Sequence, residues 1–322
     1  MPSNPAHAKA RDGVRPSGSD TSDTSLRVIA TAGFPGYALL DSGDGRKLER
    51  FGSVVVDRPA PQALWRPLLE PGTWLRADAS FKSSGEEEDG EGGRWRRNKP
   101  VPETWAVEVL GVTLLCRLTS FRHLGLFPEQ LPHWQWMLDW LREGRRPARV
   151  LNLFAYTGAA SLIAAKAGAE VTHVDASKKA LAWARQNRTA SKLDEAAVRW
   201  ILEDARKFVA REVRRGKSYH LILVDPPKFG RGPEGEVWDV FQHLPSLLRD
   251  CASLLEPGRA ALMLTTYAIR ASALAMDGLV RECLAERGGV VESGELAVVE
   301  ASGGRLLPTS LYTRWTSADA GP

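Results

Sequence analysis

The residues that invite chemistry first are Asp225, Pro226 and Pro227, at the end of the apolar run Leu221-Ile222-Leu223-Val224. The run has no polar alternation, as expected of a central parallel strand covered on both faces. Neither proline has a backbone N–H, so neither can extend a ladder, and the chain is stiff just past the strand end. In open α/β sheets that edge is where ligands bind. A fixed carboxylate and fixed carbonyls there suit a reaction on an amine or a ring nitrogen. Lys228 can hold a phosphate or pair with Asp225, and Phe229 can stack on an extruded base. A plain structural turn reads Asp-Pro-Pro equally well.

Three further sites fall at strand ends on the same edge. The stretch from Asn152 through Leu153, Phe154, Ala155, Tyr156 and Thr157 to Gly158 reads as a strand, a tight turn and small residues entering a helix. The helix N-terminus offers free N–H groups to an anion. GxGxxG is absent, so a carboxylate fits better than a pyrophosphate. Asp175, followed by Ala176 and Ser177, ends the next strand and suits both hydroxyls of a ribose. Helix capping explains Asp175 or Ser177 as well. Both readings hold together if Ser177 caps and Asp175 binds. Glu203 and Asp204, before Ala205, end the third strand; a carboxylate there accepts from an adenine amine or caps a helix. Asp204 is preferred for the amine, Glu203 second. An anion seat, a ribose acid, an adenine acid and a rigid Asp-Pro-Pro on consecutive strands are the binding requirements of S-adenosylmethionine.

The elements that must position these residues form a regular alternation. Strands are expected at Val150–Phe154, Val171–Val174, Val198–Leu202, Leu221–Val224 and Ala260–Leu264. Helices are expected over 159–166, 178–189, 205–214, 237–255 and 271–287. Two strands with no helix between them, near Leu296–Glu300 and Leu311–Trp315, close the chain. Helix-linked strands mean right-handed crossovers and a parallel sheet. The fold class expected is therefore α/β: a Rossmann-like seven-stranded sheet, mostly parallel, with one antiparallel edge strand. Residues 26–118 read as a small β-rich domain, including a Trp105–Leu118 hairpin and an acidic loop over 83–93. Arg94-Trp95-Arg96-Arg97 follows the loop, either touching nucleic acid or neutralised by its acidic neighbour. Residues 1–25 and 318–322 read as tails, and 119–317 as the α/β unit.

Composition narrows the classes. The chain has 322 residues, three widely spaced cysteines (Cys116, Cys251, Cys283), a net charge of +4 and a pI near 9.0. No CxxC or membrane-length apolar run occurs, so a reducing cytoplasm is expected, with no metal and no membrane. The small basic excess hints at a polyanionic partner. Arg142, Arg145, Arg146, Arg211, Arg214, Arg215 and Lys217 are candidate phosphate contacts or ordinary solvated faces.

Asn152–Gly158, Val174–Asn187, Glu203–Val209 and Asp225–Gly230 together resemble class I S-adenosylmethionine-dependent methyltransferases. Within these they are similar to the large-subunit ribosomal RNA methyltransferases of the K and I types. The resemblance implies S-adenosylmethionine as cofactor, bound by Asp175, Asp204 and the Phe154–Gly158 turn. It implies methyl transfer along Asp225, Pro226, Pro227 and Lys228, with RNA as partner. Relatives also carry Gly-x-Phe-Leu-Asp-Gln-Arg before the first strand. Here Gly125 to Leu131 keeps Glu129 and Gln130 as cofactor contacts, while Leu131 replaces the arginine. Carbon-5 methylation of a pyrimidine needs a cysteine nucleophile, and none ends the fourth or fifth strand, so transfer to nitrogen is expected. The rivals are a protein or small-molecule acceptor, and a non-catalytic RNA-binding protein on the same fold.

Overall fold

The computed structural model describes residues 25–83, 92–144, 147–267 and 269–318. All but residues 25 and 318 of the expected tails, most of the acidic loop, and Arg145 and Arg146 lie outside the described residues. The chain opens with β1 (Arg27–Thr31). A smaller sheet follows: β2 (Tyr37–Gly43), β3 (Arg46–Phe51), β4 (Val54–Pro59), a short helix α1 (Pro71–Leu75), β5 (Ala79–Ser83) and β6 (Gly93–Arg97). The hairpin β7 (Trp105–Val109) and β8 (Val112–Cys116) leads to α2 (Leu131–Glu143). Then come β9 (Arg149–Leu153), α3 (Ala159–Lys166), β10 (Glu170–Asp175), α4 (Lys178–Ala190), β11 (Val198–Leu202), α5 (Ala205–Arg214) and β12 (Leu221–Val224). A small hairpin, β13 (Phe229–Arg231) with β14 (Val237–Asp239), precedes α6 (Val240–Leu254), β15 (Ala261–Tyr267), α7 (Ala273–Leu284), β16 (Val290–Val299) and β17 (Leu306–Thr316).

The large sheet has the order β1-β16-β17-β15-β12-β9-β10-β11. It corrects the expected sheet in two ways. There are eight strands, because β1 pairs in parallel with β16, Arg27 opposite Gly294 through Thr31 opposite Val298. A Cβ on Gly294 would lie 1.7 Å from the Arg27 carbonyl oxygen, so this close pairing requires glycine. The strand that sequence assigned to the small N-terminal domain thus belongs to the large sheet. The antiparallel strand is also not at an edge: β17 runs between β15 and β16, antiparallel to both. Helix α6 starts three residues later than expected because the Asp239 carboxylate accepts from the amides of Phe241 and Gln242, capping it at Val240.

Alternate residues of the central strands feed two cores. Val150, Leu221, Leu223 and Ala261 join a core shared with α2, α3 and the smaller sheet. Leu151, Leu153, Ile222 and Val224 join a second one with α5, α6 and α7. Burial on both faces accounts for the unbroken apolar runs. The smaller sheet is tied down by Arg305, which bridges Glu300 at 2.7 Å and Asp41 at 3.2 Å. On the other side, the Asn187 side-chain oxygen Oδ1 accepts from the Leu115 amide at 2.9 Å, anchoring the β7–β8 hairpin to α4.

Candidate functional site

Strands β10 and β11 lie to one side of β9, and β12 and β15 to the other, so β9 and β12 meet at a topological switch point. A cavity of about 360 Å³ opens there, on the carboxyl ends of β9 to β12. Phe154, Asp175, Asp204, Asp225, Pro226 and Pro227 all line it. Glu129, Gln130, Tyr156, Ala176, Ser177, Glu203 and Ala205 complete its floor and walls. Such a crevice is the expected ligand position in this sheet type.

The turn after β9 is strained. Phe154 and Tyr156 have φ values of 54° and 48°, and Gly158 has 85°. Non-glycine residues in that region carry a conformational cost, and such positions cluster at ligand sites. Asp175 holds the turn in place: its Oδ2 accepts from the Tyr156 amide at 2.8 Å, and its Oδ1 from the Ser177 amide at 2.7 Å. Burial raises the Asp175 carboxyl, and those two amides pull it back only in part. Ser177 caps α4 through the Ala180 amide, leaving the outer lone pairs of Asp175 for a ligand. Asp204 is buried and caps α5, its Oδ1 accepting from the amides of Arg206 and Lys207 at 3.0 and 3.1 Å. Both oxygens of Glu203 are engaged by Arg211, so Asp204 is the better amine acceptor of the two.

A smaller cavity of about 70 Å³ continues under Phe127, Gln130, Phe154 and Tyr156. Ala155, Thr157 and the first turn of α3 line it, as does Asn152. The Asn152 amide donates to Ser161 at 2.9 Å, and Ser161 in turn contacts His173 at 3.0 Å. Asn152 is thus fixed from within the fold. Gly158 lines neither cavity; its place is set by the turn, where a Cβ would approach Ala184 at 3.1 Å.

On the opposite wall, the Gln130 amide donates to Asp225 at 3.3 Å. Burial, with the Glu129 charge adding to it, pushes the Asp225 carboxyl up to about 7. Burial likewise raises Glu129. The Pro227 carbonyl accepts from the Trp238 indole at 2.7 Å, which pins the turn. Among the described residues no group donates to the Pro226 carbonyl.

Lys228 and Phe229 do not share this wall as the sequence suggested. Past Pro227 the chain turns into β13, Phe229 is 60% exposed, and the Lys228 ammonium sits 5.6 Å over its ring. The aromatic walls come from elsewhere: Phe121, Phe127, Tyr156, Trp238 and Tyr267, with Phe154 and Trp238 rings 4.8 Å apart. Tyr267 ends β15 on the same sheet edge, and that placement was a usable signal in the sequence. No sequence signal marked Phe121 or Trp238.

The donor set fits S-adenosylmethionine. Asp175 and Asp204 offer carboxylates able to accept from ribose hydroxyls and an amine, Val174, Ala205 and Trp238 offer apolar contact to a ring, and the α3 first turn offers amides to a carboxylate. Among the described residues, no three His, Cys, Asp or Glu side chains gather as a metal site. No described helix is long and apolar enough to cross a membrane.

Sheet order, switch-point cavity and acidic strand ends define an α/β methyltransferase fold. The family profile of S-adenosylmethionine-dependent methyltransferases matches residues 88–294, and this chain belongs to that family. Its sequence is 51% identical to an S-adenosylmethionine-dependent methyltransferase of Agrobacterium tumefaciens with known structure, at a TM-score of 0.86, covering 90% of this chain and 93% of that one. A methyltransferase-like structure solved with S-adenosylhomocysteine is 18% identical at a TM-score of 0.67, covering 87% and 75% of the two chains, a likeness of fold. Among curated proteins, the ribosomal RNA large subunit methyltransferase K/L of Hahella chejuensis is 34% identical over 163 residues, 50% of this chain and 22% of that protein. The ribosomal RNA large subunit methyltransferase I of Aeromonas salmonicida is 34% identical over 128 residues, 39% of this chain and 31% of that protein. The chain therefore spans less than a third of the length of these two relatives.

Proposed function

We propose that the chain transfers a methyl group to a nitrogen of an RNA base, with large-subunit ribosomal RNA as the first candidate acceptor, in the cytoplasm. The observation that carries this reading is the Asp225-Pro226-Pro227 wall. Bound S-adenosylmethionine supplies an electrophilic methyl group for in-line displacement. An amine on a base is a poor nucleophile because its lone pair is delocalised into the ring. Asp225, once ionised, and the open Pro226 carbonyl would accept hydrogen bonds from the two amine hydrogens and localise that lone pair on nitrogen. As the carbon–sulfur bond breaks and S-adenosylhomocysteine leaves, the methylated nitrogen would pass its extra proton to Asp225. Trp238 would hold the wall still while they do so. Phe121 and Tyr267, which line the cavity, would stack an extruded base. Asp175 and Asp204 would hold the cofactor ribose and adenine, Ala155 to Gly158 with the α3 amides its carboxylate, and Glu129 and Gln130 the junction with Asp225.

Thiol chemistry is disfavoured: Cys116 and Cys251 are buried, burial raises both thiols, and no cysteine lines either cavity. Support for a polyanionic acceptor comes from Arg94, Arg96 and Arg97, exposed on β6, whose Trp95 indole donates to the Phe121 carbonyl at the cavity mouth. Of the other candidates, Arg142 pairs with Asp139, Arg211 with Glu203 and Arg215 with Glu212.

The test is transfer of labelled methyl from S-adenosylmethionine to deproteinised RNA and to nuclease-treated protein, both from cells lacking this gene. Label in large ribosomal RNA, recovered as an N-methylated nucleoside, is expected. Label confined to protein or small molecules would overturn the acceptor and leave the family assignment standing.

A further inference from the structure

A third cavity, of about 220 Å³, lies where the smaller sheet meets the large one. It abuts the methyl-transfer cavity, and the two share His123, Phe127, Glu129 and Tyr267. Its cations come from both sheets and their connections: Lys47 from β3, Arg58 from β4, Arg122 from the segment after β8, and Arg270 after β15.

The charges do not cancel. Glu49 is fully buried; its Oε2 accepts from Arg58 at 2.7 Å, its Oε1 accepts from the Tyr37 hydroxyl at 2.8 Å, and Lys47 stands 3.4 Å away. The third guanidinium nitrogen of Arg58, Nη1, donates to the Arg122 carbonyl at 2.9 Å. One carboxylate therefore compensates the Lys47–Arg58 pair. Arg122 has no carboxylate partner among the described residues. It is 5% exposed, its guanidinium lies 5.4 Å over the Tyr267 ring, and its Nε is buried without a hydrogen-bond acceptor. A buried cation with an orphaned donor is costly unless something anionic completes it. The other acid at the wall, Glu129, is raised by burial and so opposes that anion less than an ordinary carboxylate would. Arg270 is exposed at the rim.

We propose that this cavity seats a phosphate of the acceptor nucleotide, held by Arg122 with Lys47 and Arg270, while its base reaches Asp225 across the shared aromatic wall. The site rests on the RNA reading for its physiological ligand, though not for its affinity for phosphate. Arg122 binds there and is not a catalytic residue. Because the binding groups belong to both sheets, the smaller sheet would act as part of the acceptor site.

The probe is uridine 5′-monophosphate, added to protein saturated with S-adenosylhomocysteine and followed by broadening of its phosphorus-31 resonance. Wild type should broaden the line, Arg122→Gln should lose most of the effect, Arg122→Lys should restore part of it, and Arg270→Gln should weaken it. Arg270→Gln changes an exposed side chain, so it guards against a folding defect. With RNA, Arg122→Gln should raise KM roughly tenfold or more, as expected for a lost charge-assisted contact, with the S-adenosylhomocysteine Kd unchanged. No broadening by wild type, or equal broadening by wild type and both glutamine variants, would overturn the site. Phosphate binding that needs Arg122 in a protein that methylates no RNA would retain the site and discard the RNA acceptor.

Discussion

The two walls of the methyl-transfer cavity hold their carboxylates in opposite ways. On the β9–β11 wall, Asp175 and Asp204 each accept two backbone amides, and those bonds also fix a strained turn and a helix start. On the β12 wall, Asp225 has one long side-chain contact, from Gln130, and an acidic neighbour in Glu129. The first arrangement makes rigid acceptors for a ligand that must be gripped. The second leaves a carboxyl poised near neutrality, whose charge is stabilised best when a donor arrives. On the proposed roles, binding and chemistry would be separated by how many amides each acid is given.

The largest expected effect tests the chemical wall. Asp225→Ala should lower methyl transfer by roughly 10²–10³-fold, in the range for losing one preorganised group, with S-adenosylhomocysteine affinity nearly unchanged. Single-turnover rates beside calorimetric titration measure the two; parallel losses in both would erase the distinction between walls. The same wall predicts a pH profile. Because the ionised form of Asp225 would accept the amine, kcat/KM should rise with pH through about 7 and then level. Asp225→Asn should remove that limb.

Next in size is the gripping wall. Asp175→Ala should weaken S-adenosylhomocysteine by roughly 10–100-fold, because it frees the turn as well as removing the acceptor. Asp204→Ala should weaken it less and also cost about 1 kcal/mol of stability as a lost helix cap, while Glu203→Gln should change cofactor affinity least. A larger effect at Glu203 than at Asp204 would reassign the amine contact.

The smallest effect concerns stability. A carboxyl raised in the folded state keeps a proton that the unfolded chain releases above about 4. Stability therefore falls as pH rises from about 4 to about 7 and stays reduced above that. At pH 8, Asp225→Asn should melt at a higher temperature than wild type, by roughly 1 kcal/mol of stabilisation. Equal melting points at pH 8 would show that the charge of Asp225 is stabilised as well as those of the acids opposite.

Much of this site was legible in the sequence because its signals are local. An apolar run stopped by an acid announces a strand end, and right-handed crossovers put all parallel strand ends on one edge. That logic alone places Asp175, Asp204 and Asp225 together. It also explains the Ser177 cap, since the cap and its helix are contiguous in the chain. What it could not place depends on distant partners. Phe229 follows the Asp-Pro-Pro turn, where Trp238 donates to the Pro227 carbonyl, and its ring stands exposed outside the cavity lining.

By itself, then, the sequence determined the helix-linked strands, the acids at their ends and the stiffness after β12, since propensity, capping and missing amides act over a few residues. Only the tertiary structure decided that β1 joins β16 across more than 250 residues of chain and that β17 runs inside the sheet. It alone also brought Arg122 and Phe121 beside the methyl-transfer cavity. Those outcomes rest on backbone pairing and burial between segments far apart in sequence, where closure of the whole fold sets the geometry and no local pattern records it.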